Sequence, residues 1–411
     1  MKKDAWGFKI RTFGCKTNSA DAEKIAAGFY GDGGLPDGEN PSLCVVNACC
    51  VTERAENKAL KAALDYQKRY PSSEVVLSGC VTDSLREAAL KSGIGVKRKF
   101  SHKPGASPHL SNQLQRYLLK VQNGCDNFCS YCIVPVLRGA AVSRSRKSVM
   151  RELAGLESAG VFPGEIVLTG TNISLYRDAG GDIVDLIRAI GEKYSSRIRL
   201  SSLEPPFEKD FVKRLAESGN VCPHFPVPLQ NGSDRILKQM GRKYTVSGFM
   251  ELVAEIRKYF DEPAVTTDII YGFPGETEID FSQTLSLIEE AGFSKTHVFP
   301  FSSRRGTLAF LRQSLPPAVM KERKKRIMAV SEKAAGKYRK KFIGKNLEVV
   351  AETKRGESFY GTSGNYLKVG FGAGNIGVRS GDIVRVAVDG EAGAAMNGSA
   401  GEILWKTQLS R

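Results

Sequence analysis

Three cysteines in one short segment are the residues of this chain best suited to chemistry. Cys125, Cys129 and Cys132 lie in the segment NGCDNFCSYCIVP (123–135) with the spacing CxxxCxxC. Three thiolates favour a soft metal, and a cubane iron–sulfur cluster held by only three cysteines leaves one iron open to an outside ligand. The alternative is a zinc site, but zinc usually takes a fourth ligand, and no Cys or His follows nearby to complete the set. The spacing therefore predicts a cluster with one open iron.

A second group of three cysteines is spread over the first hundred residues. Cys15, Cys49 and Cys80 each end a short apolar run with strand character, and a segment with helical spacing follows each run. This alternation predicts a parallel α/β sheet, and the carboxyl ends of its strands would bring the three cysteines to one edge. A second three-cysteine cluster is therefore predicted, although any one of these residues could be an ordinary buried cysteine. The predicted helices lie at about 18–30, 53–69 and 82–92.

The remaining cysteines have weaker claims to a role. Cys44, inside a predicted strand, and Cys222 are predicted to be packing residues. Cys50 is adjacent to Cys49, and its side chain points the other way if the backbone stays extended. A role for Cys50 as a substitute ligand stays open. The basic segment 97–113, rich in Pro, Gly and Ser, is predicted to be a linker, with His102 and His109 as exposed loop residues.

The central region alternates strands and helices six times. This pattern predicts an open (β/α)6 partial barrel, related to the TIM barrel, with its site on the carboxyl face of the strands. The three-cysteine loop follows the first strand directly, which places it on that face. The predicted strands are 117–122, 165–169, 197–202, 224–229, 264–270 and 295–301, and the predicted helices are 148–160, 182–194, 208–218, 233–241, 247–260 and 277–291.

The C-terminal region changes to short strands separated by glycines, which predicts a small antiparallel β barrel. Small barrels of this kind often hold nucleic acid with aromatic and basic side chains. The predicted domains are thus 1–100, 111–344 and 345–411, in an α/β protein with a β-barrel end. The candidate nucleic-acid contacts in the last domain are Phe359, Tyr360, Tyr366 and Lys368.

Charge points to a polyanionic partner. The 411 residues include 60 Lys and Arg against 44 Asp and Glu, a net charge of +16. Fourteen Lys and Arg fall between residues 304 and 345, against only Glu322 and Glu332. Such a block usually binds phosphates, although it could be a solvated helix face. No apolar run is long enough to span a bilayer and the N-terminus has no signal core, so a cytoplasmic protein is predicted, in which cysteines serve metals rather than disulfides.

Both cysteine groups and the terminal barrel together resemble the radical S-adenosylmethionine (SAM) methylthiotransferases along the whole chain. The carrying motifs include TFGCKTN (12–18), VNAC (46–49), LSGC (77–80), GCDNFCSYCIVP (124–135) followed by Arg138-Gly139, and YGTSGNY (360–366), which is similar to the tRNA-holding TRAM module. Within the family, KTHVFPFSSRRGT (295–307) most resembles the threonylcarbamoyladenosine tRNA branch. The chain departs from the family pattern at Ala48 and Cys50, at Val136-Leu137 and in 169–174.

The resemblance implies two [4Fe-4S] clusters, one on each cysteine group, and the binding of SAM. One electron from the central cluster would cleave SAM to a 5′-deoxyadenosyl radical, and the enzyme would methylthiolate carbon 2 of threonylcarbamoyladenosine beside the anticodon. The implied partners are a tRNA anticodon stem-loop, a low-potential electron donor and a sulfur donor, with no membrane. The positions where SAM contacts are expected are Tyr131, Ile133, Thr169, Asn172, Ser201, Glu204 and Arg242.

Alternatives remain at this stage. Sister branches of the family act on isopentenyladenosine in tRNA or on an aspartate of a ribosomal protein. A different class, a non-catalytic iron–sulfur RNA-binding protein, would have the same charge and cysteines. That class predicts RNA binding without SAM cleavage.

Overall fold

Apolar strands and capped helices build the N-terminal region into a parallel sheet. The computed structural model describes residues 6–37, 39–97, 100, 116–406 and 408–409, so most of the predicted linker, with His102 and His109, lies outside the described residues. The hydroxyls of Thr52 and Thr82 cap two helices by accepting from backbone N–H groups three residues later. The sheet order is β2-β1-β3-β4-β5. Its elements are β1 (Trp6–Thr12), α1 (Lys16–Gly31), β2 (Gly34–Pro36), β3 (Leu43–Ala48), α2 (Glu53–Arg69), β4 (Glu74–Gly79), α3 (Asp83–Lys91) and β5 (Gly95–Val96).

The central region forms the predicted open barrel of six parallel strands. Strands β6, β10 and β11 form one sheet and β12, β13 and β14 another, and a parallel bridge from Ile198 to Val221 joins them in chain order. The elements are β6 (Tyr117–Lys120), β7 (Gln122–Asn123), α4 (Val134–Arg138), β8 (Val142–Ser143), α5 (Arg146–Ser158), β9 (Val161–Phe162), β10 (Glu165–Thr169), a 3-10 turn (Ile173–Leu175), α6 (Ile183–Gly191), β11 (Arg197–Leu200), α7 (Phe211–Ala216), β12 (His224–Pro226), α8 (Asp234–Met240), α9 (Val246–Tyr259), β13 (Ala264–Tyr271), α10 (Glu278–Ala291), β14 (Lys295–Pro300) and α11 (Pro317–Lys340).

The C-terminal region is a closed barrel of five strands in the order β15-β16-β17-β19-β18. Four of its pairings are antiparallel, and β17 with β19 is parallel. The sequence did not indicate β16, because it contains glycine, which is unfavourable in strands. Gly361 is needed there, since a Cβ would lie 2.0 Å from the Val350 carbonyl oxygen. The strands are β15 (Asn346–Arg355), β16 (Ser358–Ser363), β17 (Lys368–Gly372), β18 (Ile383–Ala392), β19 (Ala395–Trp405) and β20 (Gln408–Leu409), which pairs with β9.

A buried ionic network joins the C-terminal barrel to the amino ends of the central strands. Glu165 and Arg199 are both fully buried and are joined by two hydrogen bonds of 2.7 and 2.8 Å. Arg199 also donates to the carbonyl oxygens of Ser363 and Gly364 at 2.8 and 2.9 Å. Arg197 donates to Glu165 at 2.7 Å and to two backbone carbonyls of the C-terminal barrel. This end of the central barrel therefore serves as an attachment site.

Helix α1 attaches the N-terminal sheet to the opposite, carboxyl end of the same barrel. The Thr17 hydroxyl donates to the Gly170 carbonyl at 2.9 Å, just beyond the end of β10. Lys120 at the end of β6 pairs with Asp21 at 2.5 Å, and Lys24 pairs with Glu152 at 3.6 Å. Since Cys15 caps α1, this packing brings the N-terminal cysteines to the carboxyl face of the barrel. None of the helices in the described ranges is long and apolar enough to cross a membrane.

Candidate active site

The three N-terminal cysteines converge as the strand pattern predicts. Each follows the carboxyl end of β1, β3 or β4, and Cys49 is close enough to Cys15 and Cys80 to interact with both electrostatically. Gly14, with φ of +103°, lies against Cys49, because a Cβ at that position would be 2.8 Å from the Cys49 sulfur. Burial is the main cause that raises the pKa of the Cys49 and Cys80 thiols. Cys15 is exposed, so the group opens on one side.

The central cysteines form a second group in the loop between β7 and α4. Cys132 interacts electrostatically with Cys129 and Cys125, and burial raises the pKa of its thiol to about 12. A bare thiolate is unfavourable in such a place, whereas a soft metal centre that binds thiolate would offset the cost. In the described ranges no three His, Cys, Asp or Glu side chains are arranged to hold a single metal ion. Each group supplies three thiols, which suits an iron–sulfur cluster. Neither group has its side chains arranged as ligands of a single metal ion in the described structure.

Arg138, at the end of α4, connects the two cysteine groups. Its Nε donates to the Cys80 sulfur at 3.1 Å, and Nη1 donates to Asn123 at 2.7 Å, next to the start of the central loop. The same guanidinium binds Asp21 at 3.1 Å and the side-chain oxygen of Asn18. One side chain that lies six residues after Cys132 therefore contacts a cysteine of the other group. The guanidinium therefore links the N-terminal cysteine group to Asn123, two residues before Cys125.

A buried ion pair lies beside the central cysteines. Arg242 pairs with Glu204 at 2.5 Å, and its Nη1 donates to the Cys129 sulfur at 3.3 Å. Tyr244 accepts from Arg242 at 3.0 Å and donates to the Pro228 carbonyl, which fixes the guanidinium. Asp268 faces this pair from β13, and burial raises the pKa of its carboxyl to about 6. Two of the predicted SAM contacts, Glu204 and Arg242, thus lie together at the cysteines.

The other predicted SAM contacts are divided between polar and apolar surroundings. The hydroxyl of Ser201 is buried and has no hydrogen-bond partner within the described part of the chain, which is the state expected of a group that awaits a polar ligand. The buried side chain of Asn172 lies within hydrogen-bonding reach of the Cys125 thiol. The Thr169 hydroxyl lies 3.5 Å from that of Thr17. Tyr131 packs with an apolar cluster around Phe273, and Ile133 is buried at the start of α4.

A cleft of about 1470 Å³ opens between the N-terminal domain and residues 303–310 of the central barrel. Asp21, Lys120 and Arg138 line it, so it reaches the junction of the two cysteine groups. Near its rim, Leu308 and Leu311 are strongly exposed. The cleft gives a large substrate access to Arg138 and to the neighbours of Cys80 in the chain, Gly79 and Val81.

The basic block is only partly available for a polyanion. Arg304 is buried against Glu56, and Arg323 pairs with Glu276 at 2.5 Å in the protein interior. Arg339 is likewise buried and paired. These three arginines hold the fold together, contrary to the expectation from charge alone. Other cations of the block are exposed and have no ion pair among the residues that the structure describes: Arg305, Lys321, Lys324, Lys325, Lys337 and Lys340.

The candidate nucleic-acid contacts of the last domain need correction. Phe359 is buried and stacks on Phe371 in the barrel core, since alternate residues of β16 point inward. Tyr366 stacks on His224 of the central barrel with ring centroids 4.0 Å apart. Tyr360 and Lys368 are exposed and could meet RNA. Two of the four side chains are thus structural.

The remaining cysteines are buried in different surroundings. Cys44 and Cys50 belong to the apolar core of the N-terminal domain, and burial raises the pKa of Cys50 to about 12. The Cys50 thiol is also close enough to Cys80 and Cys49 to interact with both electrostatically, so its role as a substitute ligand stays a prediction. The Cys222 sulfur lies 3.9 Å from the Glu165 carboxylate, at the edge of the ionic network. Sequence reasoning assigned no role to Arg138, Lys16 or Asn18, although all three belong to motifs that also carry, or directly follow, the cysteines.

Comparison with known proteins agrees with this arrangement. Residues 119–288 match the model of the radical SAM superfamily, and residues 7–98 match a family described as uncharacterized protein family UPF0004. The radical SAM match implies SAM and a [4Fe-4S] cluster. Among solved structures, the radical SAM methyltransferase TsrM from Kitasatospora setae, with cobalamin and a [4Fe-4S] cluster bound, has a TM-score of 0.51 at 15% identity over 75% of this chain and 77% of that one. That likeness shows the fold alone.

Curated relatives extend over most of the chain. The threonylcarbamoyladenosine tRNA methylthiotransferase MtaB of Chlamydia pneumoniae is 34% identical over 89% of this chain and 91% of its own length. The protein of the same name from Thermotoga maritima is 34% identical over 84% and 86%. A tRNA-2-methylthio-N(6)-dimethylallyladenosine synthase of Rhodococcus jostii is 32% identical over 94% and 87%. The predicted fold and enzyme class are confirmed: the chain belongs to the radical-SAM tRNA methylthiotransferase family.

Proposed function

We propose that this enzyme methylthiolates carbon 2 of threonylcarbamoyladenosine beside the anticodon of tRNA. In this proposal one [4Fe-4S] cluster is held by Cys125, Cys129 and Cys132, and a second by the N-terminal group of Cys15, Cys49 and Cys80. The observation that supports the proposal is the contact of Arg138, six residues after Cys132, with the sulfur of Cys80 in the N-terminal group. A reaction that removes a hydrogen and then adds sulfur at the same carbon needs two centres within reach of one substrate atom.

The chain's own residues position the reactants. The open iron of the central cluster, when it is bound with SAM, supplies the electron that cleaves SAM and so opens an unactivated C–H bond. Glu204 and Arg242 form a complementary pair of charges beside Cys129, suited to the ammonium and carboxylate of SAM. The Ser201 hydroxyl, which has no partner among the described residues, offers a polar atom on the same face, and the Asn172 side chain lies beside the Cys125 thiol. The guanidinium of Arg138 is held by Asp21 and Asn123 and keeps the two cysteine groups at a fixed separation.

RNA would enter from the cleft side. A base must leave the stacked anticodon loop to reach a buried site, and the cleft of about 1470 Å³ has room for a flipped nucleotide. Three exposed lysines, Lys321, Lys324 and Lys325, lie on one face of α11 and can neutralise phosphates. With the exposed Tyr360 of the terminal barrel, they supply a backbone contact that is independent of the reacting base.

The choice of the threonylcarbamoyl branch rests on two supports. The segment 295–307 has that branch's pattern, and it forms β14 and the loop that lines the cleft. Two relatives with 34% identity carry that name, while relatives named as dimethylallyladenosine synthases are 31–33% identical. A low-potential electron donor and a sulfur donor complete the proposed reaction, because the clusters must be reduced and sulfur is consumed.

The first experiment is nucleoside mass spectrometry of tRNA from cells with and without the gene. We expect methylthio-threonylcarbamoyladenosine to disappear and its unthiolated precursor to accumulate. In parallel, the anaerobically reconstituted enzyme is given stem-loops that carry threonylcarbamoyladenosine or dimethylallyladenosine. Product from the dimethylallyl stem-loop alone would contradict the proposed branch and keep the family. SAM cleavage without either product would direct the search to a ribosomal-protein substrate.

A further inference from the structure

Lys16 projects into the interior of the central barrel from the N-terminal domain. Its Nζ lies 5.1 Å from the centre of the Tyr366 ring, which in turn stacks on His224 of β12. The Arg199 guanidinium of β11 lies 5.3 Å from the same ring, and Lys16 is close enough to His297 of β14 to influence it electrostatically. Side chains from β11, β12 and β14 can surround one amine only on the concave side of the sheet. Lys16 therefore lies within the barrel.

The amine of Lys16 has no acidic partner among the residues that the structure describes. Neighbouring cations are already matched: Arg199 and Arg197 share Glu165, and Lys368 pairs with Glu352 at 3.0 Å. Lys16 makes neither a hydrogen bond nor an ion pair with any residue that the structure describes. The charges that act on it are mostly cationic, and the one acid among them is Glu165, which already accepts from two arginines. A cation in this position lacks an anion.

The position of Lys16 ties this amine to the reacting centre. It follows Cys15 directly, and the hydroxyl of the next residue, Thr17, donates to the Gly170 carbonyl at the end of β10. The backbone is thus fixed by one of the proposed cluster ligands on one side and by the barrel on the other. The backbone of this stretch thus lies at the carboxyl face, while the amine lies deeper in the barrel beside Tyr366, so a substituent that reaches the amine must extend from the reacting base into the barrel.

We propose that Lys16 is a specificity residue that binds the carboxylate of the threonylcarbamoyl group. This rests on the proposed function and deepens it. The threonylcarbamoyl substituent ends in a carboxylate, whereas a dimethylallyl substituent is a hydrocarbon with no charge. An unpaired ammonium in the barrel stabilises the first by a charge-assisted hydrogen bond and disfavours the second, which would leave the ammonium unpaired and desolvated. The difference in binding between the two substrates is expected to be large, because the Lys16 amine forms a hydrogen bond with the first and is left without a partner by the second.

The test compares substrates that differ in one charge. Anaerobically reconstituted enzyme is assayed with stem-loops carrying threonylcarbamoyladenosine as the free acid or with its carboxylate converted to a primary amide. We expect kcat/KM of the wild type to favour the acid by roughly 10- to 100-fold, the usual range for a hydrogen bond to a charged group. Lys16→Gln should lower the value for the acid and abolish the preference, and Lys16→Arg should keep most of it. Lys24→Gln, on the same helix but paired with Glu152, is the matched control and should keep the full preference.

Several outcomes would overturn the proposal. If the wild type uses the acid and the amide equally well, Lys16 does not bind the carboxylate. Because product still forms from both stem-loops, this result leaves the proposed function intact. The comparison uses only the wild-type enzyme and so does not depend on the folding of a variant. If Lys16→Gln still prefers the acid to the amide and its iron content is unchanged, Lys16 is not the specificity residue. An equal loss on both stem-loops with a raised KM for SAM would assign Lys16 to the carboxylate of SAM. Wild-type enzyme that acts only on the dimethylallyl stem-loop would refute the proposed branch, and the inference with it.

Discussion

The two ends of the central barrel are built on opposite principles. At the amino ends of the strands, Glu165, Arg197 and Arg199 satisfy one another and the backbone carbonyls of the C-terminal barrel. At the carboxyl ends, the Ser201 hydroxyl has no partner in the described structure, and the Cys129 sulfur accepts a hydrogen bond from the buried Arg242. The charges of the Glu165 network are thus paired within the protein, whereas the carboxyl end presents groups that are suited to a ligand.

The two ends of the same strands therefore make different contributions. The amino ends contribute to stability, and the carboxyl ends contribute to the reaction. A buried polar group without a partner costs about 1–3 kcal/mol, so the carboxyl end is destabilising until its ligands arrive. The paired network at the amino end costs desolvation too, but it fixes the neighbouring domain. Changes at the carboxyl end should therefore alter the reaction with little loss of stability in the apoprotein, and changes at the amino end should do the reverse.

The largest expected effect is that of Cys129→Ala. Removal of one of three proposed ligands should abolish the central cluster, so SAM cleavage should fall to background while tRNA affinity stays within about twofold of the wild type. The measurement is 5′-deoxyadenosine production together with iron content and tRNA binding. Cys44→Ala, which removes a thiol from the apolar core, is the control and should retain cleavage. Cleavage by Cys129→Ala at the wild-type rate would contradict the assignment of this ligand.

The next prediction separates the two cysteine groups. Cys49→Ala should still cleave SAM but give no methylthio product, because only the N-terminal cluster is lost. Cys50→Ala should keep the product and lose only stability, by about 1 kcal/mol for a small cavity, since its thiol lies in the apolar core. Product and 5′-deoxyadenosine are measured in the same reaction. Full product from Cys49→Ala would mean either that Cys50 replaces it or that the N-terminal cluster is misassigned.

The fold and the cysteine groups could be predicted from the sequence, because both follow from local sequence patterns. Strand–helix alternation gave all six central strands, and the position of each N-terminal cysteine after a strand put Cys15, Cys49 and Cys80 at one edge. The side chains that act across domains could not be predicted in this way. The contacts of Arg138 with Cys80 and of Lys16 with Tyr366 depend on how separate domains dock, and no periodicity encodes docking. The same limit explains why Tyr366 looked like an RNA contact and Arg304 like a free cation.

At the amino end, Arg199→Ala should lower stability. The variant leaves Glu165 buried with Arg197 and the more distant Arg116 as its partners, and it removes two bonds to the C-terminal barrel. Breaking a buried pair typically costs about 3–5 kcal/mol, and the lower end is expected here. Arg385→Ala removes an exposed pair with Glu402 in the same region and should cost about 0–1 kcal/mol. Denaturant unfolding of the apoproteins measures both, and equal effects would show that the network is not what joins the domains.

The smallest expected effect is a pH dependence at the same junction. His224 stacks on Tyr366 and lies 3.1 Å from the Thr266 hydroxyl, and burial holds its pKa well below the ordinary value of 6.5. The unfolded chain therefore binds a proton more readily than the folded one, so the contribution of neutral His224 is complete above pH 6.5 and is lost as the pH falls below it. The loss should reach about 1–2 kcal/mol between pH 6.5 and 5.

His224→Gln isolates this contribution. Burial also lowers the pKa of His297, to about 4, and raises that of Asp268 to about 6. The contribution of Asp268 to stability has the opposite sign. Because its carboxyl holds a proton more tightly in the folded state, the folded state gains stability as the pH falls through that range. The pH dependence of the wild type's unfolding free energy is thus the sum of all three contributions. His297 and Asp268 remain in the variant, and glutamine keeps a hydrogen-bond donor for Thr266 but does not titrate. The variant's unfolding free energy should therefore fall less steeply than the wild type's between pH 6.5 and 5, and parallel curves would mean that His224 is not buried in its neutral form.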